Sequence, residues 1–128
     1  MISAEQLRNL QQSFLQNKEE EFLSRFKKAI DQYRSIIIQE SETAIINAQK
    51  TNLSYIFLDF LPLTKTYEGF YYNTVLYGFW KGENLFTIYN IISPFDSANK
   101  ELERFGYHLE NLSDTNKSNR LYIKLFWS

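Results

Sequence analysis

The chain has 128 residues with 14 basic and 15 acidic side chains, one histidine and no cysteine. Charge is balanced in both halves, with seven basic and seven acidic residues in 1–50 and seven and eight in 51–128, so the clustered Lys and Arg footprint of a nucleic-acid binder is missing. The lack of cysteine excludes disulfides, thiolate metal sites and cysteine nucleophiles, and it matches a reducing, cytoplasmic compartment. No basic start with an apolar run marks a signal peptide, and no run of about 18 apolar residues spans a bilayer.

The length fits one domain, expected over 1–128 with residues 1–50 as a helical N-terminal region. Ser3 and Gln6 have capping-box spacing, with Ile2 and Leu7 placed for a hydrophobic staple, so a helix is predicted from about Ala4. Leu7, Leu10, Phe14, Phe22, Phe26, Ile30, Tyr33 and Ile37 follow helical spacing, interrupted by Lys18. The stripe favours one long helix; Asn17 with Glu20 offers the alternative of an elbow at Gln16 to Lys18 and two helices. Lys18 to Glu21 reads as a solvated face. Lys50-Thr51-Asn52 supplies the C-terminal stop.

Leu53 to Leu61 is rich in β-formers and stops at Pro62. Phe70 to Trp80 and Leu85 to Ile92 are predicted as a second and third strand, joined as a hairpin through Lys81-Gly82-Glu83-Asn84. The second strand carries aromatics on both faces, so both faces need cover. Ser93-Pro94-Phe95-Asp96 opens a helix with buried stripe Phe95, Ala98, Leu102 and Phe105, and Gly106 ends it. Tyr107 to Leu112 is a strand, Ser113 to Asn119 a loop, and Leu121 to Trp127 an alternating terminal strand. The class is α+β: a long N-terminal helix, or two, packed on an antiparallel sheet in the order α-β-β-β-α-β-β.

Eleven Phe, nine Tyr and two Trp make up 17% of the chain, and each ring buries roughly 150–250 Å². That surplus points to an exposed apolar interaction patch. Tyr71, Tyr77 and Trp80, with Asp59, are the candidates for a protein- or ligand-binding site; Phe22, Phe26, Ile30, Tyr33 and Ile37 are the candidate oligomer face, set against simple packing on the sheet. Asp59 inside an apolar strand needs a partner such as Lys124 or Arg120, or an open face, because an unpaired buried carboxylate is costly. His108 is the one side chain with an unperturbed titration near neutrality, and catalysis would require a second acid such as Glu110 or Asp59. No phosphate loop, nucleophile elbow, metal-ligand set or catalytic pair is present in the sequence, so no catalytic residue, metal or cofactor is assigned.

Ile45-Ile46-Asn47-Ala48 leading through Asn52 into Ser54-Tyr55-Ile56-Phe57-Leu58, then Leu102-Glu103-Arg104-Phe105-Gly106-Tyr107-His108-Leu109 and Ile123-Lys124-Leu125-Phe126-Trp127, resemble small phage and prophage proteins. Those proteins combine a helix ending in an Ala-containing turn, a strand, a helix ending in Leu-x-x-x-Gly-Tyr-x-Val, and a terminal strand near Ile-Ser-Trp. Leu109 stands here for the Val, and Leu125-Phe126-Trp127 for Ile-Ser-Trp. The resemblance covers residues 44–58 and 98–127. It implies phage or mobile-element origin and a host-cell cytoplasmic setting, and its residues specify packing rather than an active site.

The leading expectation is therefore a non-enzymatic phage or mobile-element protein that binds protein, either a host system it inhibits or further copies of itself as a homo-oligomer. A virion structural or assembly component is the second reading. A small-ligand or nucleotide-binding module is the third.

Overall fold

A computed structural model describes residues 1–60, 66–112 and 121–127. Its first element, α1, runs unbroken over Ala4–Ala48. Ser3 and Gln6 form the capping box: the Gln6 amide donates to Ser3 Oγ at 3.1 Å and the Ser3 amide donates to Gln6 Oε1 at 2.9 Å. No Gly or Pro interrupts residues 4–48, so nothing kinks the helix, and the elbow at Gln16 to Lys18 is not formed. At 1.5 Å per residue, α1 is roughly 65–70 Å long, longer than the rest of the fold can cover.

Its two halves meet different surroundings. Every residue from Met1 to Glu21 is exposed, whereas Phe26, Ala29, Ile30, Tyr33, Ile37, Ser41, Ala44 and Ala48 are buried. Small residues at 41, 44 and 48 let the helix approach its neighbours closely. Ser41 donates its hydroxyl to the Ile37 carbonyl at 2.7 Å, so its own burial leaves that donor satisfied.

After α1 come β1 (Tyr55–Phe60), α2 (Tyr72–Tyr77), the two-residue strands β2 (Phe79–Trp80) and β3 (Glu83–Asn84), and α3 (Leu85–Tyr89). Then follow α4 (Pro94–Glu103), β4 (His108–Asn111) and β5 (Leu121–Phe126). The main sheet has the order β1-β5-β4 and is antiparallel throughout, with Tyr55 opposite Phe126 and His108 opposite Phe126 from the other side. Alternation sends Leu58, Leu109, Ile123 and Leu125 to the inner face, where all four are buried against the helices. The α+β class is as expected.

α4 opens as its sequence predicts, with Ser93 Oγ accepting from the Asp96 amide at 3.1 Å and Pro94 in the first turn. Ala98 and Leu102 face the core, and Asn99 Oδ1 accepts from the Leu109 amide at 3.0 Å, tying α4 to β4. Phe105 departs from the expected stripe: it is 70% exposed, because the helix ends at Glu103 and the following turn carries the ring outward.

The central segment is where the expected order fails. Phe70 to Trp80 is not a strand but α2 followed by β2, and Leu85 to Ile92 is not a strand but α3. Thr74, Val75 and Leu76 are buried consecutively, which a strand with one exposed face does not do but a short helix wedged among aromatics does. Two local devices decide for helix. Gly78 ends α2 at φ 78°, and a Cβ there would lie 2.9 Å from the Phe86 ring; Asn84 caps α3 by accepting from the Thr87 amide at 3.1 Å. The hairpin survives in miniature, since Lys81 and Gly82 both adopt positive φ, the backbone of a type I′ turn. The stop at Pro62, the loop Ser113 to Asn119 and Arg120 lie outside the described residues.

Among the described residues no helix is long and apolar enough to cross a membrane.

Candidate functional site

The inner face of the main sheet is filled by aliphatic side chains; the outer face is not covered by any described element. By register it presents Tyr55, Phe57 and Asp59 from β1, Tyr122, Lys124 and Phe126 from β5, and His108 and Glu110 from β4. Tyr55, Phe57 and Tyr122 are 42%, 46% and 39% exposed. The alternation of Tyr55-Ile56-Phe57-Leu58-Asp59 is what divides the strand between core and surface.

These rings form one connected array. Phe57 and Tyr122 stack with centroids 5.5 Å apart and planes 7° from parallel, and Tyr55 meets Phe57 edge-on at 5.5 Å. The Lys124 ammonium lies 5.3 Å from the Tyr55 ring centre and 5.4 Å from that of Phe126, while His108 packs on Phe126 at 5.3 Å. Aromatic pairs of this kind contribute about 0.5–1.5 kcal/mol beyond burial, so the array holds a defined shape before anything binds it. Among the described residues its charged members are Asp59, Glu110 and Lys124, and these make no basic track for a phosphate backbone.

Asp59 is explained by its position. It is exposed on this outer face, opposite Tyr122, so the carboxylate in an apolar strand marks the solvent side rather than a buried charge. It also borders a cavity of about 350 Å³ between β1 and the end of α1, with Glu40, Thr43 and Asn47. Lys124, one of its expected partners, has its ammonium over Tyr55 and Phe126.

The other expected binding residues do not join Asp59. Tyr71 is 68% exposed at the start of α2, and Tyr77 stacks on Phe79 at 6.2 Å. Trp80 packs on Phe22 and Phe70 at 5.6 and 5.4 Å with Lys81 over its ring, as part of the seam between α1 and the hairpin. The expected oligomer face is likewise consumed by the chain's own packing. Phe26, Ile30, Tyr33 and Ile37 are 5% exposed or less and lie in the core, with Phe22 packed against it, because α4, α2 and β1 pack against α1. Tyr33 sits edge-on to Tyr67 at 5.1 Å, and its hydroxyl has no hydrogen-bond partner among the described residues. Burial, reinforced by the neighbouring Tyr67, Tyr77 and Tyr72 phenols, pushes its pKa well above the usual tyrosine value.

Of the two acids expected beside His108, Glu110 shares its face two residues along β4 and Asp59 is remote. The nearest carboxylate to His108 is Glu103 at the end of α4, with Nδ1 to Oε1 at 3.8 Å, and both side chains are about half exposed. Asp59 lies two strands away and four residues along the ladder, roughly 16 Å from His108. Among the described residues no group of three or more His, Asp or Glu side chains is arranged to hold a metal ion.

In comparison with known proteins, no protein family, curated protein or solved structure matches this chain.

Proposed function

We propose that this protein is a non-enzymatic protein-binding module whose recognition surface is the outer face of the three-stranded sheet. The observation that carries the reading is the exposed ring array of Tyr55, Phe57 and Tyr122 on the face opposite the core. Tyrosine and phenylalanine are enriched where proteins meet, and they bind with little loss of rotamer freedom because they are already packed on one another. Among the described residues a nucleic acid would find stacking surfaces here but one lysine beside two carboxylates, which favours a protein partner.

The segments resembling phage and prophage proteins, 44–58 and 98–127, are the ones that build β1, most of α4, β4 and β5, and so the sheet that carries this face. On that resemblance we place the protein in a phage or mobile element and its partner in the host, with inhibition of a host system as its mode of action. The test is site-specific photo-crosslinking in the natural host. A photoreactive side chain at Phe57 yields a discrete protein adduct, and the same group at Tyr71, exposed elsewhere, yields none. Equal labelling from both positions, or no adduct from Phe57, rejects the reading.

A further inference from the structure

The first turns of α1 form an arm, Ala4–Lys18, that stands clear of the domain with Leu7, Leu10 and Phe14 exposed by 46%, 59% and 58%. Their i, i+3, i+7 spacing sets all three on one side of the helix, the anchor pattern of a helix that docks in a groove. The same chain carries such a groove. Between the later turns of α1 and α4 runs a cavity of about 430 Å³ with Ile38, Ile45, Leu102, Phe105 and Tyr107 on its apolar walls and Glu42 at its side. Phe105, thrown outward by the end of α4, forms an exposed apolar flank. A second cavity of about 220 Å³ shares Ile45 and Tyr107 and prolongs the groove to Trp127.

We infer that the arm of one copy docks in the α1–α4 groove of a second copy. The arm cannot fill its own groove. Leu10 lies 28 residues or more before Ile38 on one uninterrupted helix, roughly 40–50 Å along the axis, and a helix without Gly or Pro does not fold back on its own flank. Charge agrees with the pairing: the arm carries Arg8 and Lys18 against Glu5, whereas in the groove Arg34 is paired with Glu101 and Glu42 is left as the surplus charge. So does area. A helix about 22 Å long and 10–12 Å across, laid along one flank, removes on the order of 400–500 Å² from each partner, the size of a weak, concentration-dependent contact. The contact is heterologous, so association is concentration-dependent and extends beyond two chains unless a ring or reciprocal exchange closes it.

Complementation of two exposed-site variants of the full chain tests this. Leu10→Glu spoils the arm and Phe105→Glu the groove, with Phe14→Glu and Glu42→Lys as second choices if either fails to fold. In sedimentation equilibrium the wild type gains mass with concentration, each variant alone stays monomeric at concentrations where the wild type associates, and an equimolar mixture forms a species of two chains. A wild type that stays monomeric, a groove variant that still associates through its arm, or a mixture that stays monomeric overturns the inference. Phe57 and Tyr122 are untouched in both variants, so the outcome is independent of the sheet-face reading.

Discussion

The two faces of the main sheet are built from the same three strands yet follow opposite rules. The inner face carries Leu58, Leu109, Ile123 and Leu125, aliphatic and buried; the outer face carries Tyr55, Phe57 and Tyr122, aromatic and 39–46% exposed. Area removed from water stabilises the fold on the first, at about 25 cal/mol per Å². On the second, the same kind of surface remains available to a partner. The difference teaches that apolar content alone does not assign a role, and that the assignment comes from what the opposite side of each strand touches.

The largest expected effect lies on the inner face. Leu125→Ala empties a fully buried site in the central strand and lowers the unfolding free energy by about 2–5 kcal/mol, read from a shift of the denaturant midpoint. An effect under about 1 kcal/mol would erase the contrast between the faces.

A second prediction concerns the buried phenols under α1. Tyr33 and Tyr67 both have pKa values raised above 10.0 by burial, so the folded state keeps protons that the unfolded chain releases. Their contribution is fully present below pH 10 and is lost as pH rises from the unfolded value through the folded one. Stability should therefore decline above pH 10 in chemical denaturation, and Tyr33→Phe should flatten the decline while leaving neutral-pH stability unchanged or raised by about 1 kcal/mol. An unchanged alkaline slope would show that the Tyr33 phenol is not held protonated by the core.

A smaller effect separates the arm from the domain. Ser3→Ala removes a capping box worth about 1 kcal/mol of helix stability, but residues 1–21 are exposed. Circular dichroism should show some loss of helicity with no change in the midpoint of the domain's thermal unfolding. A lowered midpoint would mean the arm is coupled to the core.

How far the sequence foretells this fold depends on whether a segment has one buried side or several. The capping box at Ser3, the N-cap at Ser93 and the alternation from Leu121 to Trp127 are local signals, and each element appears where those signals place it. Phe70 to Trp80 carries aromatics on both faces, so its period is uninformative; Gly78, expected inside a strand, and Asn84, expected in the hairpin connection, are in fact helix ends. The candidate site was legible in part. Asp59 is the clue, since a carboxylate alternating with Ile56 and Leu58 marks the strand's solvent side and therefore Tyr55 and Phe57 with it. Tyr122 and Phe126 join them only through the β1–β5 register, which no local pattern encodes. The oligomer stripe from Phe22 to Ile37 misleads for the complementary reason: its period is correct, but tertiary neighbours of the same chain occupy it.

A modest expected change in stability accompanies the largest expected change in function, and one double variant reads both. Phe57→Ala with Tyr122→Ala removes the stacked pair from the outer face while leaving Leu58, Ile123 and Leu125 in place. Unfolding free energy should fall by no more than about 1–2 kcal/mol, because 39–46% of each residue's surface is already in water. Binding to the protein that crosslinks from position 57 should weaken at least tenfold. A core-sized loss of stability, or unchanged binding in a folded double variant, would contradict the assignment of this face to partner recognition.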